Sequence, residues 1–278
     1  EKLIPDEVTV LGTVVGLLLM TVAPAALLPH VNIPAGGAPV VEPVTATAPN
    51  PWPAALAGAP NWRSLAIGLG CYWLWIFALV PRLWRGSRGP VVALTMIAAR
   101  IARELMRPPL AVFAILGTLF VAVIWWLGGD HWVGLLTALV GLVGSGGIVW
   151  AVRIIGSAAI GREAMGFGDV TLMMMVGTFI GWQAGLMAFF LAPLAGIVVG
   201  VAQFILRSDD VIPYGPFLCL ATATVVVFWA PIWVWAQPLF AIGWLVPAAL
   251  AVCMVLLWGL LAVLQVIKKL LFGVENRG

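Results

Sequence analysis

The chain of 278 residues carries eleven Asp and Glu side chains, and one of them has unusual neighbours. Asp169 closes the string Gly166-Phe167-Gly168-Asp169, directly ahead of the apolar run Val170–Val176. A carboxylate at the start of a helix is favoured by the helix dipole. The two glycines leave the backbone bare, so another chain can come close to the acid. Such an acid can move protons in acid–base catalysis, or hold a proton or cation in a transport path. A plain helix cap would use the same residue types. Other acids look ordinary. Glu1, Glu42, Glu104 and Glu275 fall in loops or tails, and Asp130 with His131 reads as a hydrated turn. His30 sits in a Pro-rich stretch and is expected in water. Asp6, Glu7, Glu163, Asp209 and Asp210 remain with Asp169, all close to one end of an apolar run.

The elements that must hold these acids are set by composition. Hydrophobic residues make up 63% of the chain and charged residues 9%; the mean hydropathy is +1.12. A soluble domain has about 25% charged residues, so a water-soluble enzyme is excluded, and so is a disordered chain. The charge balance of +3 gives no reason to expect nucleic acid. Cys71, Cys219 and Cys253 stand singly in apolar runs, with no CxxC pair, and no metal site is expected. Apolar runs near 8–28, 63–81, 110–129, 132–154, 169–182, 184–206, 213–235 and 239–265 predict an all-α, polytopic membrane helix bundle of about eight transmembrane helices. The first run is read as a span rather than a signal peptide, because Glu1, Lys2, Asp6 and Glu7 make its leading end negative.

Eight spans put both termini on one side. With the termini inside, thirteen of the fourteen Lys and Arg fall in inner loops and only Arg63 falls outside. That matches the cytoplasmic bias of basic loops. We therefore expect one membrane-embedded domain over 1–278. Residues 29–61, with eight prolines, are expected to form an extended extracytoplasmic loop. Residues 82–109 are expected to form a cytoplasmic insert. Within it Arg100, Arg103, Glu104 and Arg107 share one face of an amphipathic helix lying on anionic lipid. The tryptophans are expected at span ends, where indoles favour the interface. Gly177 and Gly181 form a GxxxG, a spacing that lets membrane helices approach closely.

Three strings in order carry a family resemblance. Leu3-Ile4-Pro5-Asp6 precedes the first span, Met165–Asp169 continues through Gly177 and Gly181, and Ile212-Pro213-Tyr214-Gly215-Pro216-Phe217-Leu218 opens a later span. Together they resemble the type IV prepilin peptidases, the GxGD aspartyl proteases of pilus and type II secretion systems. The first string is similar to the family's LLPD turn, the second to its GMGYGD-type motif and the third to its IPFGPFL-type motif. The resemblance covers roughly 3–20 and 160–225. It implies an aspartic endopeptidase of the bacterial inner membrane, with Asp169 as one of two catalytic aspartates. The two would share a proton, one activating water and the other protonating the scissile amide. In the family the second aspartate lies several residues before the LLPD turn, so we expect it upstream of Glu1 and read the chain as a piece of a longer protein. Asp6 matches the turn aspartate and is a lesser catalytic candidate. Gly166, Gly168, Pro213, Gly215 and Pro216 are expected to meet an extended substrate by strand addition. Asp209 and Asp210 are expected to attract the basic leaders of prepilins and pseudopilins. Expected partners are those leader peptides and membrane lipid. Bacterial members often also N-methylate the new N-terminus, with paired CxxC motifs that this chain lacks; no cofactor, S-adenosylmethionine included, is expected.

Two other readings stay open on the residues. A transporter or ion pathway would use Asp169 as a proton or cation site, although transporters usually carry polar residues in several spans. A non-catalytic assembly factor would do without the second aspartate.

Overall fold

The computed structural model describes residues 6–32, 37–53, 56, 61–79, 108–160, 165–206 and 214–272. Eight α-helices appear among them: α1 (Asp6–Val22), α2 (Trp62–Leu79), α3 (Pro108–Leu127), α4 (Gly129–Ile160), α5 (Phe167–Leu206), α6 (Gly215–Val227), α7 (Trp229–Ala241) and α8 (Leu245–Phe272). The all-α membrane bundle expected from composition is what forms. Five helices are long and apolar enough to cross a membrane, or six if the bent pair α6–α7 counts as one span. Residues 82–107 of the expected surface insert lie outside the described residues.

Helix is the form that satisfies an apolar backbone from within. Polar side chains in these helices follow the same logic. Thr13 Oγ1 donates to the Thr9 carbonyl and Thr21 Oγ1 to the Leu17 carbonyl, each at 2.7 Å. Thr118 and Thr137 do the same one turn back. The turn between α3 and α4 uses Gly128 (φ 65°) and Gly129 (φ 64°), which sit in the left-handed region that favours glycine. Next to that turn His131 Nδ1 donates to the Thr21 carbonyl at 2.7 Å, capping the end of α1.

Helix α4 is the hub. It packs against α1, α2, α3, α5 and α8, and its contact with α5 is the most extensive in the molecule. Small residues make that contact possible. A Cβ on Gly141 would strike the Gly177 backbone, and one on Gly177 would strike Gly141 in return. A Cβ on Gly177 or on Gly185 would meet the same hydroxyl, that of Ser145. Residues eight apart in a straight helix are separated by about 12 Å. Gly177 and Gly185 instead lie side by side, so α5 folds back on itself. The reversal is at Gly181, whose φ of 76° and ψ of 173° are not helical. Two arms result, one from Phe167 and one ending at Leu206. They correspond to the separate spans expected at 169–182 and 184–206.

Several expectations are corrected. Helix α1 stops at Val22 and not at residue 28, because Pro24 starts a short 3₁₀ turn, Pro24–Ala26. The span expected at 213–235 is bent by 90° between α6 and α7. Pro231 explains the bend: it has no N–H to give the Val227 carbonyl and its ring crowds that turn. The span expected at 239–265 begins instead at Leu245, and residues 239–241 belong to α7.

The Pro-rich segment is folded onto the bundle. Strands β1 (Pro29–Asn32) and β2 (Val40–Pro43) pair antiparallel, with His30 opposite Glu42. His30 is 7% exposed, not solvated; its ring meets Trp233 edge-on at 6.2 Å. Side chains of the bundle hold the loop by its carbonyls. Gln183 Nε2 donates to Thr45 O (2.7 Å) and Ala48 O (3.2 Å), Trp182 Nε1 to Ala46 O (2.7 Å) and Trp229 Nε1 to Pro29 O (2.7 Å). Trp132, Trp229 and Trp233 are buried rather than spread along an interface.

The glycine seam should be intolerant of volume. Gly177→Val drives a branched side chain into the Gly141 backbone and Ser145, and should cost more than the usual ~1–3 kcal/mol of overpacking. Gly259 faces open space, so Gly259→Val should leave the melting temperature nearly unchanged. Thermal unfolding of the two variants in detergent checks the contrast.

Candidate active site

Asp169 is the third residue of α5, and Gly166 is its N-cap. The loop that delivers it is braced from α4. Arg153 Nε donates to the Met165 carbonyl at 2.9 Å, and the guanidinium lies 5.6 Å from the centre of the Phe167 ring. Thr171 Oγ1 donates to the Gly168 carbonyl at 3.0 Å, which tightens the first turn. An acid at this position commonly reaches back to the N–H of the N-cap residue. The Asp169 carboxylate does lean that way: a Cβ on Gly166 would sit 3.8 Å from Asp169 Oδ2. Yet no hydrogen bond joins the carboxylate to a described residue. Asp169 is 9% exposed.

Two further elements converge on this end. The first is α6. A Cβ on Gly196, in the second arm of α5, would lie 3.8 Å from the Phe217 ring, so α6 begins beside that arm, level with the start of the first arm. Tyr214, just ahead of α6, is pushed up to about 12 by burial and then by the negative charge of Asp169. The phenol is thus within reach of the charge on the carboxylate. Gly215 is buried and Pro216 exposed, both in the first turn of α6. The second element is α1. Gly12 faces Met175, and Gly16 faces Thr178 and Phe179. The two helices run parallel with a constant offset. Carried down six residues on each helix at equal rise, that register sets the Asp6 backbone level with Asp169.

Of the residues expected to form a site, Gly166, Gly168, Asp169, Gly215 and Pro216 gather at this end, and the backbone of Asp6 reaches its level. Pro213, Asp209 and Asp210 lie outside the described residues. Two residues were not singled out from sequence. Tyr214 stood inside a quoted motif but was assigned no role. Arg153 is one of the thirteen Lys and Arg that the sequence places in inner loops. Its signal was available: a lone arginine within an apolar helical run, where an unsatisfied charge is costly. Among the described residues no cluster of His, Cys, Asp or Glu could hold a metal ion.

A membrane helix hairpin presenting the carboxylate of Asp169 at one end is the class of site the fold defines. Comparison with known proteins narrows it. Residues 91–201 match the model of the Type IV leader peptidase family. A prepilin leader peptidase/N-methyltransferase of Aeromonas salmonicida is 33% identical over 98 residues, 34% of this chain and 33% of the relative. The proteins of the same description from Pseudomonas putida and Pseudomonas aeruginosa are 33% identical over 101 residues and 37% identical over 76. These alignments cover 35% of both chains and 26% of both chains, respectively. No solved structure matches the chain. The chain is thus similar to type IV prepilin peptidases, and the matching segment spans about a third of the length of the A. salmonicida relative.

The proximity of Tyr214 and Asp169 can be measured directly. The chain has two tyrosines, so Tyr72→Phe leaves Tyr214 as the only phenol. Its absorbance titration should then show ionisation near 12. Removing the neighbouring negative charge with Asp169→Asn should lower that midpoint, while Asp130→Asn, on the turn at the opposite end, should not.

Proposed function

We propose that the chain is a membrane aspartic endopeptidase. It removes the leader peptide from type IV prepilin-like substrates, at the cytoplasmic face of a bacterial inner membrane. One observation carries the reading. Asp169 is a buried carboxylate with no described hydrogen-bond partner, set at one end of a membrane bundle, inside the stretch that matches the Type IV leader peptidase family.

The chemistry follows from what one acid can and cannot do. Amide hydrolysis needs a base to activate water and an acid to protonate the leaving nitrogen. Two carboxylates close enough to share a proton supply both, because they cannot both ionise. Asp169 is one of the pair. The other comes to it from the level of the α1 start. Gly166 and Gly168 leave room for a peptide backbone over the first turn of α5. Gly215 and Pro216 open α6 beside it, and an extended leader can pair with the chain there. Asp209 and Asp210 belong by sequence to the rim of the same opening and attract the basic leader through their charge. The N-methyltransferase in the relatives' descriptions is not part of this proposal.

The test is processing of a prepilin with a basic leader by the full-length protein in membranes. Asp169→Asn should reduce cleavage by about 10²–10⁴-fold; undiminished cleavage would remove the acid from the mechanism. Asp6→Asn tests the second carboxylate: a comparable loss would identify Asp6 as the partner, and retained cleavage would assign that role to another acid.

Charge reversal tests the rim. With Asp209 and Asp210 both changed to Lys, KM for a basic leader should rise several-fold at low salt, and the effect should shrink at high ionic strength. An unchanged KM would exclude the two acids from leader recognition.

A further inference from the structure

Arginine inside an apolar membrane helix is costly unless its charge and donors are used. Arg153 stands in such a run, Ile148–Ile155 of α4. It lies 21 residues from Trp132, about 32 Å along the helix, which is close to the full thickness of the hydrocarbon layer. From that boundary the side chain could extend to water, as arginines at span ends usually do. It turns instead to the backbone of its own chain. Nε donates to the carbonyl of Met165, twelve residues on, and the guanidinium covers the face of Phe167.

The choice of acceptor matters. Helix α5 starts at Phe167 with Gly166 as N-cap, so the helical ladder begins with the Gly166 carbonyl. The Met165 carbonyl lies outside that ladder and has to be bonded by something else. Phe167, the first helical residue, is fixed by the same guanidinium. One planar group therefore clamps both sides of the N-cap glycine, which by itself has little conformational preference. Two residues further on is Asp169, whose carboxylate has no hydrogen bond to orient it among the described residues. The direction in which that acid leaves the turn is set by the turn.

We propose that Arg153 is a positioning residue, which clamps the Met165–Phe167 turn and so aims the Asp169 carboxylate. This rests on the reading of Asp169 as catalytic, although the clamp itself does not. Lysine is a poor replacement. It can reach one carbonyl, but it lacks the planar group that stacks on Phe167 while Nε bonds Met165.

The experiment has two readouts on the full-length protein in nanodiscs. The first is peptidase kinetics. Arg153→Gln should lower kcat by about 10–100-fold, the cost of a small misplacement, with KM for the leader peptide within about twofold. Arg153→Lys should recover only part of that loss. The second readout ignores catalysis. Hydrogen exchange of the Phe167–Val170 amides should quicken about tenfold or more in Arg153→Gln, while the amides after Gly181, at the other end of the arm, keep their rates. Unchanged exchange at Phe167–Val170 overturns the clamp. So does a loss of kcat that comes only with a matching rise in KM and a lower melting temperature. If Asp169→Asn cleaves normally, the catalytic reading has failed, and the exchange measurement alone decides whether Arg153 holds the turn.

Discussion

The arrangement depends on one close contact, where α4 meets both arms of α5 around Ser145. Apolar helices gain little from hiding from lipid, which is as apolar as they are, so their association rests on tight packing. Gly141, Gly177 and Gly185 allow it by having no side chains at the points of contact. With the arms held side by side, the start of the first arm and the far part of the second lie at the same end. The Met165 carbonyl then falls within reach of Arg153 on α4. Gly196 of the second arm receives the Phe217 ring, which sets Tyr214 within reach of the charge on Asp169. Three elements distant in sequence thus meet at one carboxylate because two glycines share a neighbour.

The two ends of the bundle use their polar groups differently. At the Gly181 end, the backbone at Pro29 and at residues 45–48 lies against the helices and its carbonyls need donors. Trp182, Gln183 and Trp229 supply them. The stacked rings of Trp229 and Trp233, 5.1 Å apart, and of Trp233 and Phe240, 5.7 Å apart, fill the space between. At the Asp169 end, Arg153 and Thr171 bond main-chain carbonyls of the turn, while the carboxylate is bonded to neither. One end is closed by hydrogen bonds and aromatic packing. The other holds its turn through Arg153 and Thr171, with no hydrogen bond to the carboxylate among the described residues.

What could be read from the sequence was local. Asp169 stood out because its flanking glycines and following apolar run are contiguous, and contiguous patterns need no knowledge of the fold. Gly177 and Gly181 read together as one packing motif, yet they do different work. Gly177 packs, while Gly181 turns the chain with a positive φ. Spacing alone does not separate these roles. The bend at Phe228 was hidden by an unbroken apolar run, and Pro231 was the overlooked sign. His30 looked solvated because its Pro-rich surroundings look solvated. Its burial depends on Trp233, some two hundred residues away, and on bundle side chains that catch the loop. Arg153 is the same case in reverse: a cation near a loop is ordinarily a topology marker, and only coordinates show it bonded across the loop.

The placement of Asp169 reconciles two opposed demands on an intramembrane acid. Deep in the bilayer a carboxylate is expensive and no peptide can reach it. In open water it is cheap but loses the low-dielectric surroundings in which carboxylates influence each other strongly. The first turn of a helix at the edge of the bundle lies between these extremes. The unpaired N–H groups there favour negative charge without neutralising it. An acid that bonded its own N-cap would be fixed but spent, its lone pairs taken up by the helix. Here the fixing is done by another side chain, through the carbonyl and the ring that precede the acid. The carboxylate is therefore held in direction by its backbone, with no hydrogen bond to its oxygens among the described residues. That separation of holding from reacting is what the proposed hydrolytic role requires, and a structural cap has no use for it.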